Sequence, residues 1–592
     1  MKKYSLISEF LIWRRKHIND RQFIVFLSII VGVFAGFGAV IIKNSVHLIK
    51  GLISSGFTDE YHNYLYFIYP AIGILLAIIF MKYIIKAYVG HGIPGVLSSI
   101  SQNNGIMKLH NIFSSIITSV FTVGFGGSVG LEGPTVATGA AIGSNVGRFL
   151  HLNYKQLILL LGCASAGAMS AIFKAPIAGV VFALEVIMLD LTMYSILPIL
   201  LASVSAALTS YLFLGFDVLC PFEVKEQFII SDIPFYIVLG IVTGFISLYF
   251  IRTFISIDKF FDKIKRHYTR LIIGGLALGI LIFLFPCLYG EGYETINACL
   301  QGDYTQLFNN SLFYAYKDNI ISIFIVLFLV IIFKVIAMSV TFGSGGVGGV
   351  FAPTLFVGAC VGSLFAKMFN YFNLEHISES NFALVGMAGM ISGVLHAPLT
   401  AIFLIAEITN GYGLFMPLII VATISYATIR MFEPNSIYAV QLAKRNQLFT
   451  HNKDKIVLSL MKIDELIETD FKTVHPDATL RDLVKIVSDS KRNIFPVVDD
   501  DNVLHGIVTL DSIRHIMFRP DMYDNTYVHN LMFMPTSECV NPDDSMEDIV
   551  NKFKITRNFN LPVVKDCKYI GFVSRANIFS VYRKKLKYFS ED

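Results

Sequence analysis

Between about Gln22 and Arg430 the chain is almost all apolar, and from Lys444 to Asp592 it reads as ordinary soluble sequence. The apolar part is uneven. Residues 23–42, 66–85, 236–249, 271–288 and 320–337 are long runs that predict membrane-spanning helices, since a span takes about 20 residues. Residues 112–123, 137–146, 157–170, 175–188, 356–365, 383–394 and 398–408 are shorter and punctuated by glycine and proline. Pieces of that length do not cross a bilayer alone, so half-helices meeting inside the protein are expected. Broken backbone at membrane depth survives only where it is buried or lines a cavity. The pattern therefore marks an ion or solute pathway near the midplane.

The apolar part also repeats. EGPTVATGAAIGS around Pro134 returns as FAPTLFVGACVGS around Pro353, 219 residues on; FKAPIAGVVFALE around Pro176 returns as LHAPLTAIFLIAE around Pro398, 222 residues on. A fainter pair is Gly90-His91-Gly92 against Gly290-Glu291-Gly292. The same order in both halves predicts an inverted-repeat membrane domain of two halves, 23–251 and 271–435, joined by a connector at 252–270. After a linker at 436–460 the soluble tail duplicates too, as 461–522 and 523–587. Each unit is read as helix, strand (495–498; 561–564), turn, strand (506–509; 571–574), helix.

Composition agrees with a membrane protein: 54% of the 592 residues are hydrophobic and 15% charged, against about a quarter charged in soluble domains. The net charge of +4 says little about partners, and no basic stripe interleaved with aromatics points to nucleic acid. Seven cysteines without CxxC spacing read as buried free thiols. The first 22 residues are too polar for a cleavable signal. They read as an interfacial helix, with Phe10, Leu11, Ile12 and Trp13 towards lipid and Arg14, Arg15 and Lys16 towards headgroups. Basic residues there and in the connector place the N-terminus, the connector and the tail in the cytoplasm, the membrane being the plasma or inner membrane.

One carboxylate stands out. Glu132 lies in a stretch with no other charge between His110 and Arg148, among Gly126, Gly127, Gly130 and Gly133 and just before Pro134. Glycines followed by proline read as an unwound turn opening a helix, and such a start aims free N–H groups at an anion. An ionised carboxylate at membrane depth costs roughly 2.5–3.5 kcal/mol. A Glu at a water interface capping its own helix is the bland alternative, and the neighbouring glycines argue against it. A coupled cation transporter would need more intramembrane acids than Glu132, Glu185, Asp190 and Glu407, and an intramembrane metalloprotease would need HExxH, which the chain lacks.

Three motifs in order resemble the CLC family of chloride channels and chloride/proton exchangers. They are Gly90-His91-Gly92-Ile93-Pro94, Gly130-Leu131-Glu132-Gly133-Pro134 and Gly349-Val350-Phe351-Ala352-Pro353. The tail resembles a tandem pair of CBS domains. The resemblance implies a CLC-type α-helical membrane fold followed by an α/β CBS pair, a homodimer with one pathway per subunit, and no enzyme activity, metal or required cofactor. Chloride is then the bound ion, held by backbone N–H groups of Val350 and Phe351 and by the hydroxyl of Tyr438, with Glu132 as gate. Three departures follow. His91 replaces the family's serine, which brings nitrate or fluoride in beside chloride. Leu131 replaces a basic residue. Val186 stands where many bacterial exchangers carry the inner proton-transfer glutamate, next to Glu185, which favours passive or loosely coupled conduction over tight antiport. In the CBS pair the second copy fits the pattern that contacts adenosine ribose, with Ser574 and Asn577, while the first has Thr509 but Ser512 at the ribose position and Asp511 one residue early; the resemblance leaves an adenine nucleotide compatible with the pair.

Overall fold

The computed structural model describes residues 13–590 apart from 15, 56–64, 88, 91, 188–192, 217–219, 221–227, 374–375, 410–411, 445–460, 462, 534–538 and 557. Two units separate, Met1–Leu448 and Phe449–Asp592. The helices of the first that position the site are α1 (Asp20–Ser55), α2 (Ile93–Gln102), α3 (Glu132–Phe149), α4 (Tyr154–Phe173), α5 (Pro176–Glu185), α6 (Met193–Leu214), α7 (Ile233–Asp262), α8 (Tyr293–Gln301), α9 (Ile320–Gly343), α10 (Phe351–Tyr371), α11 (Glu379–Leu395), α12 (Pro398–Thr409) and α13 (Ile437–Lys444).

Among the described residues eight helices are long and apolar enough to cross a membrane. The half-helices α5 and α12 are short, 10 and 12 residues, and each opens on the proline of the repeat. Two expected fragments, 157–170 and 356–365, are instead the middles of α4 and α10, helices of 20 and 21 residues. Their alanines, glycines and serines dilute the hydropathy because both helices lie inside the protein, α4 94% and α10 83% buried over the apolar window. Small residues let backbones approach: a Cβ on Gly143 of α3 would meet the Leu160 carbonyl of α4, and one on Gly358 of α10 would meet the Gly386 carbonyl of α11. A span absent from the expected set is α6, whose pattern Pro198 interrupts from inside the helix. Helix α7 runs on to Asp262, so only 263–266 separate it from the next helix at His267.

The two halves are tied by reciprocal bonds. Ser128 N–H donates to Thr341 Oγ1 (3.3 Å) and Val347 N–H to Thr122 Oγ1 (3.1 Å). Gly130 N–H donates to Gly349 O (2.8 Å) and Gly349 N–H to Gly130 O (2.7 Å), an antiparallel bridge between the two motif loops. All three residue pairs, 122/341, 128/347 and 130/349, stand 219 apart. A second brace joins the shorter helices. Glu185 at the end of α5 accepts from Leu399 N–H (3.1 Å) and Thr400 N–H (2.7 Å) at the start of α12, while Glu407 in the last turn of α12 accepts from Ile177 N–H (3.0 Å) and Ala178 N–H (2.7 Å) at the start of α5. Contacts that return with the partners exchanged define a pseudo-two-fold axis between the halves.

In the second unit β2 (Ile494–Val498) pairs antiparallel with β3 (Leu504–Thr509), and β4 (Asn560–Lys565) with β5 (Lys568–Ser574). Both hairpins carry a bulge at the equivalent place, Val497/Val498 and Val563/Val564. The strands match the expected ones within three residues. The sheets hold a surprise: β1 (Ile467–Glu468), at the head of the first repeat of this unit, adds to β5 of its second repeat, giving the order β1-β5-β4.

Two smaller readings change. Arg14 does not face outward; its guanidinium sits 4.1 Å from the Phe23 ring centroid and pairs with Asp20. Phe10, Leu11 and Ile12 lie outside the described residues. All seven cysteines are free, but Cys567 is exposed and Cys287 and Cys539 only half-buried.

Candidate functional site

Three helix starts converge. Each follows a glycine closely, and at none does a side chain of the cap residue bond the first N–H groups: Gly92 for α2, Leu131 after Gly130 for α3, Val350 after Gly349 for α10. Gly92 has φ +76°, and a Cβ there would lie 2.5–2.7 Å from the backbone of Gly133, so only glycine lets α2 begin against α3. A Cβ on Gly133 would in turn stand 3.2 Å from Gly349 Cα, which brings in α10. Pro94 fills the first turn of α2, where no N–H is needed, and Ile93 and Pro94 are buried. Uncapped N–H groups and aligned dipoles give this meeting point a positive potential of their own.

Glu132 lies in it. The residue is 1% exposed. Its Oε1 accepts from Tyr293 Oη (2.9 Å), and its Oε2 has no partner among the described residues. Oε2 sits 3.2 Å from where a Cβ of Gly349 would be and also blocks the space beside Gly130. A buried carboxylate oxygen without a donor is costly; here it points where an anion would take the same N–H groups. Phe351 is fully buried against Phe173 and Phe182, ring centroids 6.2 and 5.9 Å away. Tyr438, on α13 packed against α2, is 4% exposed with a hydroxyl that has no partner among the described residues, and the charge acting on it is that of Glu132. Thus Gly92, Ile93, Pro94, Gly130, Glu132, Gly133, Gly349, Val350, Phe351 and Tyr438 come together, with Gly90 two residues ahead of Gly92. His91 lies outside the described residues.

Val186 is buried at the C-cap of α5. Its neighbour Glu185 is committed to the start of α12, where Thr400 Oγ1 also donates to it at 2.7 Å. The pattern reading missed Tyr293 and Lys334. Lys334 is fully buried on α9 and donates to Gly290 O (2.9 Å) and Leu288 O (3.4 Å). The Gly290-Glu291-Gly292 string was the available signal, because a charge between two glycines at a helix start is out of place in an apolar half.

In the soluble unit the ribose-type groups are already bonded. Ser574 Oγ donates to Glu468 Oε1 (2.7 Å), and Glu468 pairs with Arg492 (3.0 Å). Asn577 donates its side-chain amide to Leu466 O (3.3 Å), and Thr509 caps the helix that follows it by accepting from Ser512 N–H (3.3 Å).

The family model for voltage-gated chloride channels matches residues 72–430, and the CBS-domain model matches 463–519 and 533–584. The chain therefore belongs to the CLC family of chloride channels and transporters, with a tandem C-terminal CBS pair, and is a transport protein rather than an enzyme. It is 28% identical over 381 residues to a putative chloride channel protein ClcB-like of Ralstonia nicotianae, covering 63% of this chain and 85% of that one. To an H(+)/Cl(-) exchange transporter ClcA of Vibrio cholerae it is 26% identical over 414 residues, 67% of this chain and 84% of the other. In structure it resembles a slow cyanobacterial Cl-/H+ antiporter, with TM-score 0.61 and 22% identity over 73% of this chain and 99% of that chain. That likeness confirms the fold.

Proposed function

We propose that this integral membrane protein exchanges chloride for protons through a pathway gated by Glu132. The observation that supports it most directly is the partnerless, buried Oε2 of Glu132 in front of three uncapped helix starts. An ionised carboxylate and an anion compete for those N–H groups; a protonated one withdraws and carries its proton with it. Weak partial charges suit a site that must both bind and release. Val350 and Phe351 offer N–H groups from one side, and Tyr438 its hydroxyl from the other.

Val186 favoured passive conduction. The names of the relatives, ClcA exchange transporter and Cl-/H+ antiporter among them, favour tight coupling instead, and we adopt it. Val186 then means only that the cytoplasmic proton reaches Glu132 by a route without an ionisable side chain at that position. The protein works as a homodimer in the plasma or inner membrane with both termini cytoplasmic. Nitrate and fluoride are the competing substrates that His91 brings in.

The test is reconstitution of the full chain in sealed liposomes. An imposed chloride gradient should drive protons uphill at a fixed ratio. Glu132→Gln should abolish proton movement and leave anion flux independent of pH. Anion flux with no proton movement in the native protein would refute exchange, and pH-dependent flux in Glu132→Gln would refute the gate.

A further inference from the structure

A second carboxylate stands beside the gate. Glu291 lies between Gly290 and Gly292, at φ 64° and 90°, immediately before α8. Its carboxylate faces the backbone N–H of Leu131, the residue that precedes Glu132, and its charge acts on Glu132. Two residues further on, Tyr293 opens α8 and donates its hydroxyl to Glu132 Oε1 at 2.9 Å. One turn of chain thus brings both an attractive and a repulsive partner to the gate.

Cations surround this turn. The charges of Lys50 and Lys43 of α1 and of Lys334 of α9 act on Glu291. Lys50 Nζ and Lys334 Nζ lie 3.5 and 3.4 Å from where side chains on Gly290 and Gly292 would begin, which places both ammonium groups beside this turn. Lys43 also acts on Glu132, with Lys174 and Cys220 as its further neighbours, and Cys287 and Cys360 lie by Lys334. Tyr438 completes the titratable set around Glu132. With Leu131 in place of a basic residue, the positive charge near the gate comes from α1 instead.

We propose that Tyr293 latches the ionised Glu132 carboxylate in the anion site while the Glu291 charge, kept in place by Lys43, Lys50 and Lys334, works against that latch. Both act through Glu132, so they are positioning residues, and the inference rests on the gate reading above. A hydrogen bond to a charged group and a like charge nearby act on a carboxylate with opposite sign. The two substitutions must therefore move the gate in opposite directions, which loss of packing would not do.

The experiment is anion flux of the reconstituted full chain against external pH, read as the pH of half-maximal flux. Tyr293→Phe removes the latch, and the midpoint rises by about one pH unit. Glu291→Gln removes the repulsion, and the midpoint falls, also by about one unit. Glu291→Asp, which keeps the charge but draws it back from the gate, lowers the midpoint by less and replaces Glu291→Gln should that variant fail to fold. Midpoints that stay put, or that move the same way in Tyr293→Phe and Glu291→Gln, overturn the latch. A native protein whose flux ignores pH, as Glu132→Gln should, overturns the gate reading itself.

Discussion

Glu185 is the residue next to the missing proton relay, and its geometry makes it a brace. Its two oxygens accept from Leu399 N–H, Thr400 N–H and Thr400 Oγ1, at 3.1, 2.7 and 2.7 Å. Glutamine keeps one acceptor oxygen and turns an NH2 group towards the other donors, leaving one N–H unpaired. A hydrogen bond to a charged group is worth roughly 1.5–3 kcal/mol, and water reaches this half-exposed end, so about 1–2 kcal/mol is the expected loss for Glu185→Gln. Glu185→Ala forfeits all three contacts and should cost about 2–3 kcal/mol. Glu407→Gln, the mirror change at Ile177 and Ala178, should resemble Glu185→Gln. The assay pairs thermal unfolding in detergent with the proton-to-anion ratio in liposomes. Both glutamine variants should melt earlier and keep the native ratio. A Glu185→Gln protein that melts normally but loses proton movement would refute the brace and make Glu185 the inner relay.

Tyr438→Phe removes a buried hydroxyl without a protein partner; melting should change by less than about 1 °C while anion affinity falls roughly five- to tenfold, and an unchanged affinity in binding calorimetry would remove Tyr438 from the site. In the soluble unit the Arg481 hydrogen bonds at 2.8 and 2.7 Å hold Asp524 below the usual carboxylate range, and the Thr479 hydroxyl does the same for Asp482. A depressed folded value stabilises above the unfolded one, about 3.9, and that gain is lost as pH falls through the folded value. Hydrogen exchange of the full chain should therefore show 479–489 loosening below about pH 4 and not between pH 5 and 7; loosening in the upper window would count against it. Millimolar ATP should give no saturable shift in the melting of the full chain, because Ser574 and Asn577 are spent on Glu468 and Leu466; a saturable shift would show that the Glu468–Arg492 pair yields to a nucleotide.

The legible parts of this chain are those where backbone geometry dictates residue type. Gly92 and Gly349 had to be glycine for the helix starts to meet, Gly133 lies in tight approach to them and Gly130 leaves room for the Glu132 carboxylate, and the prolines 134, 176, 353 and 398 mark first turns. Hence the duplicated motifs exposed both the halves and the site. Long-range partners were not legible. Tyr293 reaches Glu132 across 161 residues and resembles any aromatic at a helix start. The interior helices α4 and α10 were shortened in the pattern reading because burial among other helices, rather than in lipid, selects alanine, glycine and serine over leucine. The strand β1 was hidden for another reason: two residues pairing with a sheet in the other repeat leave no local period.

The symmetry of the scaffold and the asymmetry of its contents together explain how a duplicated sequence yields one gate. The bonds between Thr122 and Val347, Ser128 and Thr341, and Gly130 and Gly349 treat the halves alike, down to Leu131 and Val350 accepting from Thr135 N–H and Thr354 N–H at 3.1 and 3.0 Å. Two equivalent helix starts, α3 and α10, therefore face one point, and either could offer its N–H groups to an anion. The equivalence stops one residue further on, where Glu132 in the first half corresponds to Phe351 in the second. Phe351 is packed into Phe173 and Phe182 and closes its side with apolar bulk. Glu132 is left as the charged side chain at the shared focus, with one oxygen on Tyr293 and the other unpaired. Exchanging the two chemistries, as in Glu132→Phe, would restore the symmetry and remove the group that can answer to pH, so flux in such a variant should lose its pH dependence whatever happens to its rate.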